Sequence, residues 1–169
     1  MTITADTASS GTINSARIVT TGAAAVSAYF ELRAGATNVL FTRTGIAGSN
    51  ATMSKFVIPR VRNVASGLDV GFAIVNTGAT PANITLTAKD QGGVDLAVRT
   101  FSLASRNHLS GFPFQLLAAG QGCSPCLGSE PSGTNHGFLL FESSSAAFAS
   151  TALAIEGAAL SSFPVEVLQ

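Results

Sequence analysis

The chain reads as all-β: an antiparallel two-sheet β-sandwich of about ten short strands, with one short helix near residues 112–119. Three observations predict this. Apolar and polar residues alternate with period two through most of the sequence, the runs are separated by turn residues, and charge is sparse. Hydrophobic residues make up 46% of the chain and charged ones only 11%, so most strand faces are built to pack. Val26, Ala28, Phe30 and Leu32 share one strand face, with Ser27, Tyr29, Glu31 and Arg33 on the other. In 68–76, Val70, Phe72, Ile74 and Asn76 alternate with Asp69, Gly71, Ala73 and Val75. Ile84 and Leu86 alternate with Thr85 and Thr87. Further strand runs are 15–21, 39–43, 53–61, 96–103, 137–143, 147–156 and 163–168.

The breaks carry turn chemistry. Thr77-Gly78-Ala79-Thr80-Pro81 and Asp90-Gln91-Gly92-Gly93 supply the φ values that turns need, so 84–90 and 94–103 form a hairpin. Pro113 at the first turn and Gly120 at the end mark the helix, which closes one end of the sandwich with Phe114 and Leu117. The Gly/Ser/Pro-rich stretch 120–133 is the long exposed loop. Two sheets packed face to face would bury Phe30, Phe56, Phe72, Ile74, Leu86, Phe101, Leu140, Leu153 and Phe163. The chain divides into an N-terminal tail or exchanged strand, 1–10, and one sandwich domain, 11–169.

Nine basic and nine acidic residues cancel. A neutral chain lacks the basic footprint of a nucleic-acid binder and does little to keep its own copies apart. No stretch reaches about 18 consecutive apolar residues, so membrane insertion by a helix is not expected. Residues 1–6 lack the basic and apolar regions of a signal peptide. The Ser/Thr/Gly/Ala-rich, Lys-poor composition nonetheless favours an extracellular or cell-surface protein numbered from its mature form.

Reactive groups are few: two His, two Cys and one Tyr. Cys123-Ser124-Pro125-Cys126 is the sharpest local feature. In an oxidising compartment it reads as a Cys123–Cys126 disulfide pinning the loop; a redox pair or half of a metal site are the alternatives, with His136 as a further ligand. His108 falls in the turn before the helix. Asp90 and Asp95 flank Gly92-Gly93 as parts of a hairpin turn, short of the oxygen shell that calcium takes. Arg60 and Arg62 flank Val61 as a solvated face, as cross-strand charge pairs, or as a site for an acidic partner. There is no Gly-x-Ser-x-Gly elbow and no phosphate-binding loop leading into a helix. No catalytic residue, cofactor or metal is expected. Thr2, Ile3, Thr4 and Ala5 alternate and could add as a strand to a neighbouring subunit or pair within their own chain.

The run 68–78, then Pro81-Ala82-Asn83-Ile84-Thr85-Leu86-Thr87, Asp90 and Gly92-Gly93, resembles a signature of secreted β-sandwich repeat modules in surface proteins of acidobacteria and other environmental bacteria. Tyr29-Phe30-Glu31-Leu32-Arg33 resembles the upstream strand of that family. Thr44-Gly45-Ile46-Ala47 resembles its next loop, with Thr44 and Ala47 departing from the pattern. The segment 103–109 with Phe114-Gln115-Leu116, then Ala152-Leu153-Ala154 and Phe163-Pro164-Val165, extend the likeness over 11–167. The resemblance implies an exported, often modular protein and no catalytic residues.

The expected function is a non-catalytic extracellular structural protein. It would self-associate into a fibre or surface layer, or serve as a module of a larger surface protein, with N-terminal strand addition as one mechanism. The alternative is a carbohydrate-binding or adhesion module. With no Trp, one Tyr and eleven Phe that read as core, the sequence offers few aromatics to a glycan.

Overall fold

The computed structural model describes residues 2–5, 16–19, 21–22, 28–33, 37, 39–46, 52–128, 134–144, 148–163 and 165–168. Alternating sequence becomes strand almost throughout. The strands are β1 (Thr2–Ala5), β2 (Ala16–Val19), β3 (Ala28–Arg33), β4 (Leu40–Ile46), β5 (Lys55–Asn63), β6 (Leu68–Asn76), β7 (Ala82–Asp90), β8 (Asp95–Leu103), β9 (His108–Gly111), β10 (Thr134–Glu142), β11 (Phe148–Glu156), β12 (Ala159–Phe163) and β13 (Glu166–Val167). A single helical turn, α1 (Pro113–Leu116), lies between β9 and β10. All described pairings between strands are antiparallel.

The main sheet runs β12-β11-β6-β5-β10-β7-β8, with β13 also on β5 and β9 also on β6. Its two halves join narrowly. β5 and β6 pair only at Arg62↔Asp69 and Asn63↔Leu68. Beyond that hairpin β5 runs with β10, and β6 runs with β11 on one side and β9 on the other. The halves then face each other as a sandwich: β13-β5-β10-β7-β8 in one layer and β12-β11-β6-β9 in the other. Phe72 of β6 meets Phe141 of β10 edge-on at 4.9 Å between ring centres, and Phe141 stacks on Phe56 of β5 at 4.8 Å. Around these rings Ile58, Val70, Ile74, Ile84, Leu86, Leu139, Phe148 and Ala152 complete one core. Each buried ring contributes about 2–3 kcal/mol by area alone.

Four expected core residues lie elsewhere. In β10 all of Phe138, Leu139, Leu140 and Phe141 are apolar, so alternation does not choose a face; Leu139 and Phe141 point inward and Leu140 is half-buried. In β11 the buried residues are Phe148, Ala152 and Ala154; Ala152 stands directly opposite Phe72, whose ring fills the space beside it, and Leu153 is half-buried. Phe163 is exposed, since β12 is the outermost strand of its half. Phe30 is only half-buried, because β3 pairs with β4 in a separate two-stranded sheet.

The helix is shorter than its sequence promises. Gln115 Oε1 accepts from the Phe112 backbone N–H, and the Leu117 N–H closes the turn on the Pro113 carbonyl. The Leu117 carbonyl instead accepts from Leu127, so the chain leaves the helix and loops back. Leu117 is buried in the core as expected. Phe114 is half-buried, stacked on Phe112 at 5.8 Å and lying 4.2 Å beneath the Arg62 guanidinium. His108, expected in a turn, is in β9 opposite Val75.

Polar chemistry fixes the turns that hold the layers in place. Asn76 ends β6 and is 1% exposed. Its Nδ2 donates to the carbonyls of Thr80 (2.9 Å) and Leu103 (3.0 Å), and its Oδ1 accepts from Gly78 N–H (2.9 Å). One amide thus ties the β6–β7 turn to the end of β8. Gly78 has no Cβ because one would sit 2.9 Å from that Oδ1. Gly137 in β10 carries the tightest approach: a Cβ there would collide with the Lys89 carbonyl oxygen.

Candidate interaction surface

The β3–β4 hairpin exposes aromatic side chains of the kind that the core of the main sheet buries. Its register runs from Ala28↔Ile46 through Glu31↔Arg43 to Leu32↔Thr42, with an irregularity before Arg33↔Leu40. Along β4 exposure alternates: Phe41, Arg43 and Gly45 are exposed, and Thr42, Thr44 and Ile46 half-buried. Tyr29 is 64% exposed and Phe41 60%. The Arg43 guanidinium lies 5.8 Å from the centre of the Tyr29 ring, which puts arginine and tyrosine on one face. Within β3, Arg33 Nε donates to Glu31 Oε2 at 2.6 Å. That hydrogen bond raises the Arg33 pKa above its ordinary value, with the Glu31 charge acting in the same direction and partial burial against it.

The patch extends beyond the hairpin. β4 lies alongside β12, where Phe163 is exposed, and Val39 and Leu40 are exposed at the entry to β4. Tyr29 and Phe41 thus share the outward face of the hairpin with Arg43, and Val39, Leu40 and Phe163 add exposed apolar area on the hairpin and its neighbouring strand. Large apolar side chains gain nothing by facing water, and exposed apolar patches mark association sites. Phe41 departs from the expectation that the phenylalanines are core. Its signal in the sequence is the spacing to Arg43: a residue two places from an exposed arginine in a strand shares its face.

The other candidates are dispersed. Thr2, Ile3, Thr4 and Ala5 form β1, paired with Val19, Ile18, Arg17 and Ala16 of β2 in the same chain; the remainder of the expected 1–10 segment lies outside the described residues. The sulfurs of Cys123 and Cys126 lie at disulfide-bonding distance, with their Cα atoms 5.0 Å apart. Cys123 Sγ rests 3.2 Å from the carbonyls of Leu117 and Ala118, against the core, and its backbone bridges to Arg99 of β8. His136 is exposed on β10 opposite Val61. Asp90 builds the β7–β8 turn, accepting from Val94 N–H at 2.9 Å, and Asp95 pairs with Lys89. Arg60 is buried, not solvated: it shares the inward face of β5 with Ile58 and donates to the His136 carbonyl at 3.3 Å. Arg62 forms the cross-strand pair with Asp69, at 3.4 Å.

Among the described residues no three of His, Cys, Asp and Glu come together in a way that would hold a metal. A space lined by Phe56, Ile74, Ile84, Phe141 and Phe148 is too small for a water molecule. None of the described helices is long and apolar enough to cross a membrane. No family model, curated protein or solved structure matches the chain.

Proposed function

We propose that this chain is a non-catalytic extracellular structural subunit that associates with copies of itself or with neighbouring modules of a surface protein. The observation that carries the reading is the exposed aromatic face of Tyr29 and Phe41 beside β12. Large apolar side chains become useful there only when something covers them. A net charge of zero offers little repulsion between copies. Several of the ionisable groups are engaged in holding the fold: Asp69 with Arg62, Asp95 with Lys89, Glu142 with Lys55, Glu31 with Arg33, and Asp90 in its turn. The cysteine pair is compatible with an oxidising setting. Likeness to secreted repeat modules of environmental bacteria belongs to the same proposal and rests on the turn and core positions of 68–93.

Sedimentation of the full chain across a wide concentration range tests it. Mass should rise with concentration. It should fall back in a Tyr29→Ser/Phe41→Ser variant, and a 1–10 deletion reports whether β1 contributes. A wild-type protein that stays monomeric throughout overturns the reading.

A second reading has one observation in its favour. Tyr29 and Phe41 on one face with Arg43 resemble the aromatic platforms on which sugars stack, so an adhesion module is the alternative. Binding to a glycan panel that is lost in Tyr29→Ser would support it.

A further inference from the structure

The opposite end of the main sheet carries a different device. β8 is the outermost strand of its half, and at Val98 its outward backbone groups are met by the cysteine loop. Val98 N–H donates to the Pro125 carbonyl at 3.0 Å, and the Val98 carbonyl accepts from Ser124 N–H at 2.8 Å. Arg99 bridges to Cys123, and its Nη1 donates to the Leu116 carbonyl at 2.9 Å. Residues 123–125 are therefore a miniature edge strand laid on β8. It propagates poorly, because Pro125 has no N–H to offer to a further strand. Leu117 and Leu127 anchor the two ends of the loop in and against the core, joined by the Leu127 N–H to Leu117 carbonyl bond. Between those anchors, closure of the four-residue ring is what restricts the cap.

We propose that the Cys123–Cys126 disulfide is a removable cap on a latent strand-addition edge, and that reduction opens β8 to pair with β8 of a second copy. Reduction by a dithiol transfers two electrons and two protons: the sulfur–sulfur bond breaks, both cysteines become thiols, and the dithiol closes to its own disulfide. The four-residue segment regains the freedom that the ring had removed, while Leu117 and Leu127 keep the loop attached.

The strand so exposed is complementary to itself. Val98 faces its backbone outward, so by period two Thr100 and Ser102 do the same. An antiparallel pair centred on Thr100 sets Thr100 against Thr100, Val98 against Ser102 and Arg99 against Phe101. No like charges meet. Thr100 and Ser102 are exposed, and 96–102 contains neither the lysine nor the proline with which open edges are protected. This proposal does not depend on the aromatic patch, which lies at the other end of the sheet.

The test uses the full chain in excess dithiothreitol, which also prevents disulfides between copies. Reduction should speed hydrogen exchange at the Val98 amide by roughly tenfold in dilute protein. At higher concentration it should add a dimerisation step in sedimentation, reversed on reoxidation. Thr100→Lys should abolish that step by opposing two like charges. Thr100→Glu alone should do the same, and an equimolar mixture of the two variants should restore it. A Cys123→Ser/Cys126→Ser variant should behave as the reduced protein without reductant. Val98 exchange that ignores reduction overturns the proposal, and so does an added mass that persists in Thr100→Lys. Loss of the aromatic-patch association in Tyr29→Ser/Phe41→Ser would leave this step in place.

Discussion

The two ends of the main sheet solve the same problem in opposite ways. At β8 the outward backbone groups of Val98 are taken by Ser124 and Pro125, and the segment that takes them is short, closed on itself and ends its own hydrogen bonding at proline. At β12 the neighbour is the β3–β4 hairpin, a separate two-stranded sheet that turns Tyr29, Phe41 and Arg43 outward. A sandwich cannot avoid edges, but it can choose which one to close. Here one end is closed at Val98 by backbone bonds, and the other exposes large apolar side chains among the described residues. The difference teaches which end the proposed association would use in the oxidised molecule.

The largest blow to this comparison falls between the two ends. β10 joins β5 to β7, and hence the β7–β8 pair to the rest. Gly137→Ala drives a methyl group into the Lys89 carbonyl and should cost about 3 kcal/mol of unfolding free energy, read by denaturant titration. Next comes Asn76→Ala. It strips hydrogen bonds from the carbonyls of Thr80 and Leu103 and from Gly78 N–H at the turn that binds β6 to β8, and should cost about 2–3 kcal/mol. Both changes should weaken the capped end and leave the hairpin face chemically intact.

Tyr29→Ser/Phe41→Ser sharpens the comparison from the other side. Removing exposed rings should change stability by no more than about 0.5 kcal/mol, yet weaken association by about tenfold or more if these are the anchors. The smallest effect is expected from Arg62→Ala. It removes the guanidinium above Phe114 and the partly exposed pair with Asp69, together about 1 kcal/mol, and thermal melting should show it.

Much of the fold was legible in the sequence, for physical reasons that can be named. β6 spans 68–76 as its alternation requires, because only one of its faces carries large apolar groups. Asn76 fell on the inward face by period alone, though the partners of its amide, the Thr80 and Leu103 carbonyls and the Gly78 N–H, could not be read from a pattern. β10 and β11 show the limit. Four apolar residues in a row in β10 leave the inward face undetermined, and in β11 the small Ala152 faces the core because Phe72 of the neighbouring strand stands opposite it. β9 is short and takes its pairing from β6, distant in sequence, whereas β12 is the short return arm of a tight hairpin with β11. The candidate surface was legible only in part. Tyr29 belonged to an outward face in the sequence, but Phe41 sits in the apolar run Val39-Leu40-Phe41, where burial is the natural expectation. What exposes it is the separation of the β3–β4 sheet from the main core, a tertiary fact.

The most direct measurement is hydrogen–deuterium exchange of the oxidised full chain at low and at high concentration. The account predicts that concentration adds protection at 28–33, 40–46 and 159–163 and leaves 96–102 unchanged. Added protection at 96–102 without any at the hairpin, or no concentration-dependent protection anywhere, would contradict it.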